Sequence, residues 1–118
     1  MLVEFSIIPI GSDAHISEEL AEALKLVDAS GLPYQLNPAG TCVEGDWDEV
    51  LQLVHRCHQR VREKASHVVT MVKIEDDAGE RGKLHRNVAS VEEKAGRPLQ
   101  RTGDPAEQRT DERLEETP

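Results

Sequence analysis

The strongest constraint on this chain is the order in which two hydrophobic periodicities alternate along it. Residues 2–10, Leu-Val-Glu-Phe-Ser-Ile-Ile-Pro-Ile, follow a period of two. Val3, Phe5 and Ile7 fall on one face and Leu2, Glu4, Ser6 and Ile8 on the other. Pro9 should end that strand, because proline donates nothing to a ladder, and Gly11-Ser12-Asp13 reads as a turn. Helical spacing takes over at Ile16, Leu20, Leu24 and Val27, with Ala23, behind Ser17 as N-cap and Glu18 and Glu19 in the first turn. Gly31 suits the position after the last turn, and Pro33 blocks continuation.

The pattern then repeats in a second half. Tyr34-Gln35-Leu36 and Thr41-Cys42-Val43-Glu44 read as short strands joined by Asn37-Pro38-Ala39-Gly40. Asp46 and Glu49 form a capping-box pattern for a second helix, whose expected buried stripe is Trp47, Val50, Leu51, Val54, His58 and Val61. Arg56, Gln59, Arg60, Arg62 and Glu63 fall on its wet side. His67 to Glu75 is the strongest strand signal, followed by a charged loop over residues 76–82. Leu84, Val88 and Val91 suggest a short third helix that Gly96-Arg97-Pro98 stops.

The resulting order is β-α-β-β-α-β with a C-terminal helix. Right-handed crossovers place the first two helices on one face of a four-stranded antiparallel sheet, the α+β ferredoxin-like arrangement. The opposite face carries Leu2 and Ile8 beside Glu4 and Ser6. A partly apolar face with nothing over it predicts a homo-oligomer, a dimer or tetramer formed through sheet faces and edges.

Composition sets the domain limits. Of 118 residues, 37% are hydrophobic, below the usual share, and the deficit lies at the end. Residues 98–118 hold Leu99, Ala106 and Leu114 as their only apolar side chains, so the expected domain is 1–97 and the expected disordered tail 98–118. Net charge is −9, from 14 basic and 23 acidic residues, and no Lys/Arg block exists to follow a phosphate backbone, which argues against nucleic acid. No apolar run is long enough to span a membrane, and the N-terminus lacks a basic signal-peptide region. The expected compartment is the cytoplasm, where Cys42 and Cys57 are reduced thiols.

Motifs for catalysis are missing. His55 and His58 share a helix face, but Cys57 points away from them and no second cluster has zinc spacing, so packing is favoured over a metal. Nothing places a nucleophile beside a base, and Gly40 and Gly45 do not make a phosphate loop. The expectation is a non-enzyme without cofactor or metal. One constellation remains: the hairpin from Tyr34 to Trp47 gathers a phenol, an amide, a hydroxyl and a carboxylate, and the first strand adds Glu4 and Ser6. Such groups suit a small polar heterocycle or a cation; equally, Tyr34 packs at a sheet edge, Asn37 turns the chain and Thr41 favours β structure.

The same stretch carries a family resemblance. Val3-Glu4-Phe5-Ser6-Ile7-Ile8-Pro9, then Tyr34-x-x-x-Pro38-x-x-Thr41-x-x-Glu44-Gly45, then Asp46-Trp47-Asp48-Glu49-Val50, resembles the small thiamine-binding protein family, relatives of the two-domain bacterial protein that binds hydroxymethylpyrimidine and thiamine. The likeness runs from residue 1 to about residue 97, through Lys73-Ile74-Glu75-Asp76 and Ser90-Val91-Glu92-Glu93-Lys94. It implies a ferredoxin-like homo-oligomer that binds thiamine or a related pyrimidine without transforming it. Ser6, Thr41 and Glu44 match motif positions, and Tyr34 and Asn37 neighbour them. On that footing Ser6 and Thr41 are candidates for hydrogen bonds, Glu44 or Glu4 for the charge and Tyr34 for ring contact. Thr41 and Glu44 are three residues apart, so a regular strand sends them to opposite faces. The competing expectation is an assembly or regulatory interaction module with no small-molecule ligand.

Overall fold

The computed structural model describes residues 1–11, 16–79 and 81–100. Strand β1 (Leu2–Pro9) leads to helix α1 (Ile16–Ala29), then β2 (Tyr34–Asn37), β3 (Gly40–Glu44), helix α2 (Trp47–Arg62), β4 (Val68–Glu75) and helix α3 (Lys83–Ala95). The strands form one antiparallel sheet in the order β2-β3-β1-β4, which is the ferredoxin-like arrangement.

Alternation along β1 sorts the molecule into layers. Val3, Phe5 and Ile7 are buried together with Val43 of β3, Ala23 and Val27 of α1, and Val50, Leu53, Val54, Cys57 and Val61 of α2. Burying these side chains supplies most of the driving force for folding, since each fully buried aliphatic chain contributes roughly 1.5–3 kcal/mol. Cys57 also gives its Sγ to the Ala23 carbonyl oxygen at 3.3 Å, tying α2 to α1. His58 Nδ1 meets Thr70 Oγ1, joining α2 to β4.

On the sheet's other side, the register aligns Ser6 with Met71, Ile8 with Val69 and Glu4 with Lys73. Ile8, Val69 and Met71 are all exposed there. Helix α3 buries none of its residues, and Val91 is 57% exposed. Gly96 closes α3 in the left-handed region (φ 75°), with its N–H on the Glu92 carbonyl and Arg97 N–H on the same oxygen, a bond pattern that ends helices.

Three local expectations are corrected. Trp47 is 49% exposed and Leu51 37%, whereas Leu53 and Cys57 join the core: the buried stripe of α2 lies one flank over from the one expected. Asp46 precedes α2 in an extended conformation but makes no side-chain capping bond, so the capping box with Glu49 does not form. Helix α1 begins at Ile16, which puts Ser17 in the first turn and not at the cap. Ser12 and Asp13 of the expected turn, and residues 101–118 of the expected tail, lie outside the described residues.

Candidate functional site

The sheet is uneven at one end, and that unevenness makes a groove. β1 pairs with β4 along its whole length, to Pro9 against Val68, but with β3 only as far as Phe5 against Thr41. Beyond that point the chain turns back through Pro38 and Ala39, with Asn37 opposite Gly40. A β-carbon on Gly40 would lie 3.1 Å from the Phe5 carbonyl oxygen, so glycine lets the turn close tightly against β1. The overhang of Ser6 to Pro9, the 36–41 hairpin and the α1 side chains Leu20, Ala23 and Leu24 enclose about 360 Å³, mostly apolar in lining. That size falls within the roughly 300–1,000 Å³ usual for small-molecule sites.

Three of the six candidate residues meet at this groove: Ser6, Asn37 and Thr41 all line it. Ser6 and Asn37 belong to the sheet face without α1 and α2; Thr41, 5% exposed, comes from the helix-covered side. On the open face a polar chain crosses three strands. Gln35 Nε2 donates to Asn37 Oδ1 at 3.0 Å, Asn37 Nδ2 donates to Cys42 Sγ at 3.1 Å, and that thiol faces Glu4 Oε2 at 3.8 Å. Partial burial, and more weakly the Glu4 charge, push the Cys42 thiol above its ordinary range, against the lowering effect of the Asn37 bond. Glu4 does not itself line the groove; it is linked through Cys42 to Asn37, which does. Gln35 and Cys42 join this chain without being sequence candidates; alternation along β2 puts Gln35 on the side of Asn37, and the hairpin register brings Cys42 opposite Gln35.

Tyr34 and Glu44 sit elsewhere. Tyr34 OH donates to Asp28 Oδ1 at 2.8 Å, which fastens β2 to the end of α1 and raises the phenol's pKa. Glu44 is the acceptor at the start of α3: Lys83 N–H donates to its Oε2 at 2.7 Å and Leu84 N–H to its Oε1 at 3.5 Å. Gly82 at the head of that helix has no side chain to offer, and a carboxylate from β3 fills the role. Strand parity thus parts Thr41 from Glu44.

A second, polar cleft of about 700 Å³ lies at the opposite end of β1, beside Met1, Trp47, Asp46, Asp76 and Arg86. Among the described residues no group of three or more His, Cys, Asp or Glu side chains stands close enough to hold a metal ion. No described helix is long and apolar enough to cross a membrane.

Comparison with known proteins places the chain by family and fold. A UPF0045 protein of Mycobacterium bovis is 35% identical over 99 residues, covering 83% of this chain and 97% of its own length. The crystal structure of a hypothetical protein from Methanocaldococcus jannaschii superposes with a TM-score of 0.72 at 29% identity, covering 78% of this chain and 95% of that one. A candidate thiamine biosynthesis/salvage protein of Thermotoga maritima shares the fold (TM-score 0.67, 22% identity, 76% of this chain and 96% of that one). The sequence profile of the thiamine-binding protein family matches residues 3–92, which takes in the sheet but for Leu2, all of α1 and α2 and most of α3. The chain belongs to the thiamine-binding protein family.

Proposed function

We propose that this protein binds thiamine, or its hydroxymethylpyrimidine part, in the groove at the β1 overhang, and releases it chemically unchanged. The observation that carries this reading is the groove itself: a mostly apolar slot of about 360 Å³ with Ser6, Asn37 and Thr41 among its lining residues, in a member of a thiamine-binding family. A flat heterocycle fits such a slot, because apolar walls take its faces while a few polar groups fix its orientation. Thiamine's thiazolium is a fixed cation, and a chain of net charge −9 attracts it over distance.

Two copies, or more, are part of the same proposal. Ile8, Val69 and Met71 present a contiguous apolar strip beside the groove, a surface that a second copy would cover. The same strip supports the rival reading, a module whose task is assembly alone. Isothermal calorimetry with thiamine and with the free pyrimidine separates the two. Measurable heat that weakens in Ser6→Ala, with the fold unchanged, supports the ligand reading. No heat at millimolar ligand leaves assembly alone.

A further inference from the structure

Hydrogen-bond parity gives the groove a floor that no side chain provides. The Ile10 N–H donates to the His67 carbonyl at 2.8 Å, so the even-numbered residues of β1 direct their main-chain groups toward β4. Met1 and Gly45 exchange both bonds, at 2.8 and 3.1 Å, so the odd-numbered residues direct theirs toward β3. Val3 and Phe5 find β3 there. Ile7 does not, because the β1–β3 register stops at Phe5 against Thr41. Its N–H and C=O therefore open onto the groove with no ladder partner among the described residues, although Ile7 itself is 6% exposed. A strand's N–H and C=O are strong hydrogen-bonding groups, so what β3 does not supply here falls to water or to a ligand in the groove.

Resting on the ligand reading above, we infer that the Ile7 N–H and C=O form the recognition edge of the site and grip the aminopyrimidine end of the ligand. One residue of an extended strand presents a donor and an acceptor side by side. An aminopyrimidine presents the complement: a ring nitrogen that accepts from the N–H, and the adjacent exocyclic amine that donates to the C=O. The ring takes the place of the β3 residue that the hairpin turn removes. A thiazolium offers no such pair, so it stays outside. Pro9, the next odd residue, has a carbonyl but no N–H, so an added peptide strand would miss a bond on passing Ile7. That favours a small ring over a β-strand as occupant.

The test uses the full chain, labelled with nitrogen-15, and two probes: 4-amino-5-hydroxymethyl-2-methylpyrimidine and the same compound lacking the 4-amino group. Saturation with the amino compound should move the Ile7 amide proton downfield and slow its exchange with solvent. The des-amino compound should bind roughly tenfold more weakly, or worse, because it leaves the carbonyl unmatched. If the amino compound binds by calorimetry while the Ile7 amide keeps its shift and exchange rate, or if the two compounds bind equally, this inference is wrong and the ligand reading stands. If thiamine binds but the free aminopyrimidine neither binds nor competes, the inference is wrong in the same way. Absence of binding by thiamine and both pyrimidines removes the ligand reading, and this one with it.

Discussion

At the scale of single residues, the structure shows which candidate side chains are already engaged in holding the fold. Both oxygens of Glu44 are engaged by the first N–H groups of α3. Glu44→Ala should cost about 1 kcal/mol, the usual worth of a helix-cap acceptor. It should speed amide exchange at Lys83 and Leu84 while leaving thiamine affinity unchanged, both measurable on one labelled sample. Cys57 gives a prediction in pH. Burial raises its thiol from 9.0 to about 11, so the folded state holds its proton more tightly than the unfolded chain does. This contribution to stability is complete below pH 9 and is lost as pH rises through 11. Thermal midpoints should therefore fall across pH 9–11, and Cys57→Ala should flatten part of that fall. In the native protein Cys42, half-buried on the open face, should react with iodoacetamide well before the buried Cys57.

At the scale of elements, the sequence was most legible where a period repeats against an unambiguous partner. β1 alternates so cleanly that each of its inward and outward assignments holds, and the order of strands and helices follows from it. Helix α2 was legible as a helix but not in its rotation. Its apolar residues span a wide arc, and either flank could face the core until α1 and the sheet are in place. The packing chose Leu53 and Cys57 over Trp47 and Leu51. Trp47→Ala should accordingly change stability by less than about 1 kcal/mol, as for a surface position, checked by thermal melting. Its fluorescence should be open to a dissolved quencher. The candidate groove was legible only in part, for a related reason. Strand parity warned that Thr41 and Glu44 part company, yet no local pattern told that β3 stops short of β1, because a strand's length relative to its neighbour is a property of the assembled sheet. The role of Glu44 was hidden likewise: its partners are some 40 residues away in sequence.

At the scale of the whole molecule, α1 and α2 clothe one side of the sheet, and α3 meets the other only at its Glu44 and Glu75 end. Ile8 and Met71 stand exposed on the other, in a small domain with little core to spare. Met71→Lys should leave the protomer folded, since the side chain is already 61% exposed. It should shift sedimentation toward the monomer if that strip joins copies, and an unchanged oligomer would assign assembly to another surface. One ribbon, β1, serves both purposes: its side chains Ser6 and Ile8 belong to the open strip, and its main chain at Ile7 borders the groove. Joining copies and filling the slot would then be reciprocal, each making the other easier or harder by the same factor. The practical sign is a titration midpoint that drifts as the sample is diluted, so the vitamin's apparent grip would report on how crowded the protein is.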